Sequence, residues 1–356
     1  MLMKQAVWTG DRQVEIRQVP MPQVNGSPII RVTDVGICGS DVHFWEEGSQ
    51  HLGVHAGHEY SGVIYDPGTS GLKKGDRVVG YTQNPKNESC GRCPHCLRGD
   101  FAHCENRIVK IGIGSEPEHP GAFAEYVSWF PSGVFLRPDS VSNEEAALIE
   151  PAAVALHAMS LSEMKPGANI LILGGGIIGQ CVAEWARMYG AGTIVLTETN
   201  PKKISFIRNA GIVDHVLNGL DPDVETQINA LLPGGMDLFF DCVALESPFN
   251  MAIRNLKRGG TGVLVGVSMH PVSFDYYSTV VYQKRLQGSK GHVPADFQAV
   301  LAALTHGTIH LEKYITRRIR LDDLQQGFER IREQGDDVKV LVKCSDPESA
   351  CGIDPE

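Results

Sequence analysis

The chain has 356 residues, which is too long for one ordinary hydrophobic core and predicts two domains of roughly 100 to 200 residues each. With 42% hydrophobic residues, 21% charged residues, 39 Gly and 20 Pro, the composition is that of a folded globular protein and excludes a mainly disordered chain. The formal net charge of −10 disfavours nucleic acid and anionic lipid as partners, since the sequence shows no local basic patch.

Neither a membrane span nor a signal peptide is indicated. No apolar run reaches the roughly 20 residues of a span, and the start MLMKQAVWTGDRQVEIRQ turns polar too soon for a leader. We therefore expect a soluble cytoplasmic protein.

Residues 1–150 contain short apolar runs bounded by Gly, Pro, Asp and Asn, a pattern typical of strands joined by turns. The runs are QAVW, VEIRQV, PIIRV, SGVIY, DRVVGY and FAEYVSW. They predict a small β-rich domain.

After Pro151 helices alternate with continuous apolar strands. The predicted strands are 170–173, 193–196, 238–240 and 262–265, and a helix passes through Val182 and Ala186. Strands that are apolar throughout, such as NILIL and TIVLT, are typical of a parallel sheet covered on both faces. The middle of the chain therefore predicts a doubly wound α/β domain.

From about residue 290 the alternation weakens into helical stretches at 297–304 and 321–332 and a final strand, VKVLVK. We expect this segment to return to the first domain, and the polar residues from Ser345 to form a frayed tail.

The turn GGGIIG at 174–179 matches GxGxxG through Gly174, Gly176 and Gly179, directly between a predicted strand and a predicted helix. Such glycines permit a tight turn, close approach of a pyrophosphate and close packing of helix on strand. This context predicts a dinucleotide site rather than an ordinary glycine-rich turn. The further residues assigned to it are Ile177, Ile178, Val265 and Val267.

Glu198 ends the next strand, 19 residues after Gly179. A carboxylate there can accept both ribose hydroxyls of the adenosine half and would repel the additional phosphate of NADP, so NAD is the predicted cofactor. Lys203 lies close behind and is included in the cofactor site, although an exposed lysine in a first helical turn is more often only solvated.

Four of the nine cysteines follow the spacing CxxCxxCx7C within a lobe of about residues 88–106: Cys90, Cys93, Cys96 and Cys104. Four thiolates so close together can enclose one tetrahedral zinc with no open position, which makes the site structural. Two disulfides or idle thiols are the alternative, but this alternative conflicts with the inferred cytoplasmic compartment and with the tight spacing.

A second constellation is dispersed over GICGSDVH at 36–43, GHEYSG at 57–62 and the stretch LIEPAAVALHA from Leu148. Cys38, His58 and a carboxylate from Glu59 or Glu150 would make a mixed sulfur, nitrogen and oxygen set with one vacancy, as a catalytic zinc requires. Each residue is ordinary by itself, and the prediction depends on their joint occurrence.

With these motifs in this order, the chain resembles the zinc-containing medium-chain alcohol dehydrogenases, closest to their polyol, butanediol and threonine dehydrogenase branch. The resemblance covers almost the whole length. It implies a GroES-like β-rich catalytic domain at 1–153 plus 290–356, an inserted NAD-binding Rossmann domain at 154–289, and an active site in the cleft between them.

The resemblance also implies residue roles at the catalytic zinc. Cys38 and His58 match zinc ligands, and Glu150 matches a position that holds glutamate in the polyol branch. Glu59 matches a glutamate that binds zinc directly in some relatives and stands beside the site in others. The third ligand therefore stays open between Glu59 and Glu150.

Three further positions match residues that assist the chemistry. Asp41 matches a carboxylate that orients the histidine ligand, while Ser40 and His43 match the proton relay. An alcohol whose oxygen enters the vacancy on zinc loses its proton more readily and can then give a hydride to NAD. Ser40 is placed to take that proton and His43 to pass it to water.

Two departures disfavour a sugar alcohol as substrate. Phe44 stands where many polyol dehydrogenases have Tyr, and the stretch GSKGHVPADF offers Gly291 and His292 in place of an Arg-Tyr pair that holds sugar hydroxyls. His51 and His55, shortly before the ligand histidine, are expected to be solvated.

The predicted function is oxidation of a secondary alcohol, such as a diol or polyol, to its ketone with NAD and two zinc ions per chain, one catalytic and one structural. The alternatives are a threonine-type amino-alcohol dehydrogenase and a non-catalytic NAD-binding redox sensor. We expect a homodimer or homotetramer joined through the nucleotide domain, with the run VLVGVSM as an edge.

Overall fold

Most of the chain is described by a computed structural model, which covers residues 1–24, 26–48, 56–81, 90, 92–97, 103–106, 121–268 and 270–345. His51, His55, Cys351 and the expected tail after Ser345 lie outside these ranges. The chain divides into two units, the first formed by Met1–Glu150 with Val293–Glu356 and the second by Pro151–His292.

The first unit is rich in strands. Its strands are β1 (Leu2–Gly10), β2 (Gln13–Pro20), β3 (Ile29–Gly36), β4 (Glu59–Asp66), β5 (Arg77–Gly80), β6 (Tyr126–Ser128), β7 (Val134–Leu136), β14 (Ile315–Arg320) and β15 (Lys339–Lys343). Its helices are α1 (Gly39–Glu46), α2 (Pro94–Leu97), α3 (Asn143–Ala147), α10 (Pro294–Thr305) and α11 (Leu324–Gln334), with 3-10 turns at Pro131–Gly133, Glu312–Tyr314 and Leu321–Asp323.

The described residues of this unit form two sheets. β1 and β2 form an antiparallel hairpin, and a larger sheet has the order β14-β15-β3-β4-β5-β7, with β6 also paired to β3. β15 pairs with β3, so the end of the chain returns to the sheet that its beginning forms. β3 is buried along its whole length, as expected for a central strand.

Aromatic side chains join the N-terminal hairpin, α1 and α11 in one core. The ring of Phe328 meets Trp8 edge-on at 5.3 Å between centroids and stacks on Trp45 at 5.7 Å. Such pairs add about 0.5–1.5 kcal/mol to the stabilisation from burial. The helix that carries the site residues is therefore anchored on its inner face.

The second unit alternates strands and helices. Its strands are β8 (Ile170–Leu173), β9 (Ile194–Glu198), β10 (His215–Asn218), β11 (Met236–Asp241), β12 (Leu256–Leu264) and β13 (Arg285–Gly288). Its helices are α4 (Ile149–Leu161), which begins at the end of the first unit, α5 (Ile177–Met188), α6 (Pro201–Ala210), α7 (Val224–Leu231), α8 (Glu246–Asn255) and α9 (Tyr276–Val281).

The six strands of this unit form one parallel sheet in the order β10-β9-β8-β11-β12-β13. Numbered within the unit, this is the order 3-2-1-4-5-6 of the doubly wound dinucleotide-binding fold. The predicted fold class is confirmed. The order reverses between β8 and β11, and ligands of such sheets bind beyond the carboxyl ends of the strands at that point.

Two details of the sequence prediction were wrong. The run VLVGVSM is not at an edge, because Val263 and Leu264 belong to β12, which pairs with both β11 and β13. The same strand begins at Leu256 rather than at 262. Residues 257–260 form an irregularity in this strand, because the register with β11 passes from Met236↔Leu256 to Leu238↔Thr261 and Gly259 has φ +73°.

An ion cluster in the first unit links α3 to the strands at the sheet's end. The carboxylate of Glu144 accepts from Arg318 Nε at 2.8 Å, and Lys343 Nζ lies 2.8 Å from it. The hydrogen bond from Arg318 is the largest cause that lowers the pKa of Glu144. Burial opposes it, but a further hydrogen bond from Lys343 helps to bring the pKa down to about 2.

Replacing Glu144 by Gln is expected to destabilise the protein by about 1–2 kcal/mol at pH 7, since part of the cluster is solvated. The folded-state pKa is depressed, so this contribution is present above the ordinary pKa of 4.5 and is lost as pH falls toward about 2. Urea unfolding at several pH values should show the two proteins converging at low pH. Glu15→Gln, which removes an exposed pair with Arg17, should change stability little, and a gap that persists at pH 2 would contradict the assignment.

None of the helices in the described ranges is long and apolar enough to cross a membrane.

Candidate active site

Strand pairing brings Cys38 and His58 together although they are 20 residues apart. β3 and β4 are antiparallel, and Gly36 pairs with Glu59. Cys38 lies between β3 and α1, two residues after the end of β3, while His58 directly precedes β4. The ligand atoms of Cys38, His58 and Glu59 all lie within 4.8 Å of one another. A thiol, an imidazole and a carboxylate at this spacing fit the donor set of a catalytic zinc.

Two glycines are required for this approach. Gly57 has φ +97°, and a Cβ there would lie 2.7 Å from the backbone nitrogen of Phe123. At Gly36 a Cβ would collide with the carboxylate of Glu59. Side chains at either position would displace His58 or Glu59, so the glycines of GICG and GHEY are parts of the site.

Asp41 fixes the two loops on which the ligands lie. Its carboxylate accepts from the backbone amides of Cys38 at 3.0 Å and Gly57 at 3.3 Å, and Oδ1 lies 3.4 Å from Nδ1 of His58. This is the orienting contact that metal-binding histidines usually have. Burial lowers the pKa of His58, but Asp41 and then Cys38 raise it more, so that the net pKa is well above the ordinary value.

The two candidate carboxylates differ in position. Glu59 is 1% exposed and lies in the three-residue set, whereas Glu150, at 8% exposed, lies outside it. Glu150 is nevertheless close enough to act on Glu59 through its charge. Burial raises the pKa of Glu59, the charge of Lys339 lowers it, and the charge of Glu150 raises it, so that the net pKa is above the ordinary value. The geometry favours Glu59 as the third donor.

The relay residues lie on the solvent side of α1. Ser40 and His43 are both exposed in the structure, and His43 Nδ1 is 3.7 Å from Glu46 Oε2. Phe44 is half-buried and packs on the core of the first unit. His292 is 1% exposed and follows Gly291, which has φ +60°.

The four cysteines of the lobe converge. Their sulfurs lie within 4.8 Å of one another, with Cys93 and Cys96 3.5 Å apart and Cys90 and Cys96 4.0 Å apart. Thiolates around one tetrahedral zinc with bonds near 2.3 Å are separated by about 3.8 Å, and a disulfide needs about 2.05 Å. The spacing therefore fits a metal, and all four cysteines are free thiols.

Backbone amides prepare this lobe for thiolates. The pKa of Cys90 is lowered to about 6, and the hydrogen bond from the backbone amide of Arg92 to its sulfur is the largest cause. The backbone amide of Cys93 and the side chain of Asn106 also donate to this sulfur. The amide of Cys96 likewise lowers the pKa of Cys93. Thiolate is the form that binds zinc.

The glycine turn in the second unit has the form that a pyrophosphate requires. Gly174 follows β8 with φ +95°, and Gly176 precedes α5 without any side-chain cap on its first amides. A Cβ at Gly179 would collide with the carbonyl of Gly174. The free amides and the positive end of a 12-residue helix favour an anion at this point.

Glu198 is bound to this turn by its own carboxylate. Oε2 accepts from the amide of Gly175 at 3.0 Å, and Oε1 accepts from the amides of Thr199 at 2.6 Å and Asn200 at 2.9 Å. The residue therefore lies at the turn, as its spacing predicts. Of the other residues assigned to the cofactor, Ile177, Ile178, Lys203 and Val265 are half-buried and Val267 is exposed.

The sequence reasoning missed Lys339. This side chain is 1% exposed and its Nζ lies 2.6 Å from Oε2 of Glu59. A signal was present in VKVLVK, because a lysine between two valines of a mostly apolar strand is out of place unless it has a buried partner.

Comparisons with known proteins identify the family of this chain. The model of the alcohol dehydrogenase GroES-like domain matches residues 25–139, and that of the zinc-binding dehydrogenases matches residues 178–306. L-Threonine 3-dehydrogenase of Rhizobium etli (strain CIAT 652) is 30% identical over 336 residues, which are 92% of this chain and 94% of that protein. The chain belongs to the zinc-containing medium-chain dehydrogenases.

Other relatives place this dehydrogenase in the polyol branch of the family. Sorbitol dehydrogenase of Bacillus subtilis (strain 168) is 29% identical, over 96% of this chain and 97% of that protein. A zinc-binding dehydrogenase from Sinorhizobium meliloti 1021, solved with NADP bound, has a TM-score of 0.85 and 28% identity, covering 96% and 99% of the two chains. The chain is thus an oxidoreductase that uses zinc and a nicotinamide cofactor, rather than a non-catalytic sensor.

Proposed function

We propose that this dehydrogenase oxidises the secondary alcohol of a diol or a related polyhydroxylated compound to the ketone, with NAD as hydride acceptor. The observation that supports this most is the set of Cys38, His58 and Glu59, whose ligand atoms lie within 4.8 Å of one another. Three donors of three kinds leave one position of a tetrahedron for substrate. Sorbitol dehydrogenase is among the relatives, so hydroxylated chains are the substrate class to test first.

Bound zinc would supply Lewis-acid chemistry that makes the alcohol proton more acidic, and the nicotinamide would take the hydride. Cys38, His58 and Glu59 would hold the metal, and Asp41 keeps the imidazole of His58 oriented. Ser40, two residues from Cys38 on the exposed side of α1, takes the alcohol proton. His43, one helical turn on, passes it to solvent.

A threonine-type reaction is the second candidate, since a threonine dehydrogenase is 30% identical over most of the chain. Initial rates of NADH formation should be compared for butanediols, sugar alcohols and threonine with added zinc. Activity on diols or polyols with none on threonine supports the first proposal. Activity on threonine alone overturns it, and activity on none of them rejects both.

We also propose that the enzyme binds two zinc ions per chain, because a second donor set is formed by Cys90, Cys93, Cys96 and Cys104 of the lobe. We assign the catalytic role to residues 1–153 plus 290–356 and cofactor binding to 154–289. Metal analysis of the purified protein tests the count: a value near two supports it, and a value near one contradicts it.

NAD rather than NADP is proposed because Glu198 places a negative charge at the glycine turn. Replacing Glu198 by Gln should reduce the ratio of kcat/KM for NAD to that for NADP by at least about tenfold, since removal of one charge relieves repulsion of a second phosphate. The side-chain amide of glutamine has one acceptor oxygen, whereas the carboxylate of Glu198 accepts through both oxygens. The substitution should therefore also weaken NAD binding and raise the KM for NAD. Glu163→Gln, at an exposed position of the same unit, is the control; an unchanged ratio would contradict the role of Glu198.

We also propose that the enzyme is a cytoplasmic homodimer or homotetramer joined through the second unit. The parallel sheet there ends in β10 and β13, and such edges can pair with another chain. β13 is preceded by exposed apolar side chains of α9, among them Tyr277 and Val280. Sedimentation velocity is the test, and a monomer at micromolar concentration would overturn the proposal.

A further inference from the structure

Lys339 is a buried lysine in a central strand. It begins β15, which lies between β14 and β3, and its side chain is 1% exposed. Its ammonium donates to Oε2 of Glu59 at 2.6 Å and to the carbonyl oxygen of Ile37 at 3.0 Å. A lysine is almost never fully buried without such partners.

The ammonium contacts two elements of the candidate zinc site. Ile37 directly precedes Cys38, and Glu59 directly follows His58. Lys339 itself comes from the far end of the chain, 280 residues from Glu59. It therefore joins the loop of the thiol ligand to the strand of the carboxylate.

Lys339 and Glu59 form an ion pair inside the protein, with Nζ 2.6 Å from Oε2. Glu59 and Lys339 are equally buried, at 1% each. Two buried opposite charges at this distance hold each other's position, since separating them would leave both uncompensated.

A carboxylate has two oxygens, and this contact occupies one of them. Zinc-bound carboxylates can use one oxygen or both, and binding through both would fill the coordination position that an alcohol needs. We propose that Lys339 is a positioning residue that restricts Glu59 to a single metal–oxygen bond and so keeps the substrate position open. This inference depends on the proposed role of Cys38, His58 and Glu59 as zinc ligands.

A positive charge this near to the metal also weakens metal binding. Replacing Lys339 by Met should therefore tighten zinc binding at the catalytic site by on the order of tenfold or more, because a repulsion between like charges disappears at low dielectric. The freed carboxylate should then bind through both oxygens. Alcohol oxidation should fall although the metal is held more tightly, which a merely structural role of Lys339 would not produce.

The experiment uses the full chain loaded with zinc or with cobalt, and compares wild type with Lys339→Met. Zinc affinity is measured by competition with a chelator, and coordination by the visible absorption of the cobalt protein. The spectrum of Cys38→Ser, which retains only the lobe site, is subtracted. Lys343→Met is the matched control, because Lys343 lies on the same strand, is 40% exposed and pairs with Asp34 and Glu144.

For Lys339→Met we expect tighter zinc binding and weaker cobalt d–d bands, since five-coordinate cobalt absorbs less than tetrahedral cobalt, while Lys343→Met should match wild type in both. Unchanged affinity and spectrum in Lys339→Met would overturn the inference. If wild type and Cys38→Ser contain the same amount of metal, the zinc-site proposal fails instead. The failure of the inference and the failure of the proposed site can therefore be distinguished.

If Lys339→Met does not fold, the wild type still provides a test. In a crystal structure of the zinc-loaded enzyme, one oxygen of Glu59 should lie about 2.0–2.2 Å from zinc and the other should remain on Lys339. Glu59 bound through both oxygens, or absent from the metal, would overturn the inference. The double variant Glu59→Gln with Lys339→Met, which removes both charges, should recover part of the stability that Lys339→Met loses.

Discussion

Replacing Cys38 by Ser is expected to remove one zinc per chain and to lower the rate of alcohol oxidation by about a thousandfold or more. The metal stabilises developing charge on the alcohol oxygen by several kcal/mol, and about 4 kcal/mol corresponds to a thousandfold in rate. Cys38 provides the thiol of the three-residue set. Serine at pH 7 is a much weaker zinc ligand than a thiolate.

The fold should survive this change. Cys38 is only half-buried, Ser is nearly isosteric, and the contacts of Asp41 with the loops use backbone amides that the substitution retains. Zinc content, circular dichroism and turnover should be measured on the same preparation. Cys344→Ser is the control, since Cys344 is a buried thiol of the same unit outside both donor sets. Retained turnover with one zinc lost, or no zinc lost, would contradict the ligand assignment.

Replacing Cys96 by Ser in the lobe is expected to remove the other zinc and to lower the melting temperature by about 10 °C. Structural zinc contributes folding free energy directly, because the metal binds the folded form. A loss of about 3–5 kcal/mol corresponds to roughly 10 °C for a unit of this size. Cys96 is buried and its sulfur lies 3.5 Å from that of Cys93.

Cys96→Ser should lose stability rather than turnover, in contrast to Cys38→Ser. Turnover of the folded fraction should remain at low temperature, because a closed four-sulfur site has no position for substrate. Calorimetry and zinc analysis are the measurements. Leu97→Ser is the control, because Leu97 follows Cys96 in the same short helix and is 75% exposed. An unchanged melting temperature in Cys96→Ser would show that the lobe does not depend on metal.

Much of the fold could be read from apolar patterns. Continuous apolar runs predicted β8 and β9, and the strand order of the sheet follows the doubly wound rule. Prediction failed at β12, where Lys257, Arg258 and two glycines separate Leu256 from the apolar run that pairs with β11 from Thr261 onward. The register shift across 257–260, with Gly259 at φ +73°, is a feature of the sheet that the side chains there do not indicate.

The sequence by itself determined the sites whose parts are close together in the chain. The glycine turn occupies six residues and the four lobe cysteines fall within fifteen, from Cys90 to Cys104, so that spacing alone indicates which groups can meet and what they can bind. Spacing could not choose between Glu59 and Glu150, because their distances from Cys38 depend on how β3 pairs with β4 and where α4 begins. The partner of Lys339 was beyond sequence reasoning for the same reason. Its ammonium reaches Glu59 only because β15 returns beside β3, and no local pattern records a contact across 280 residues.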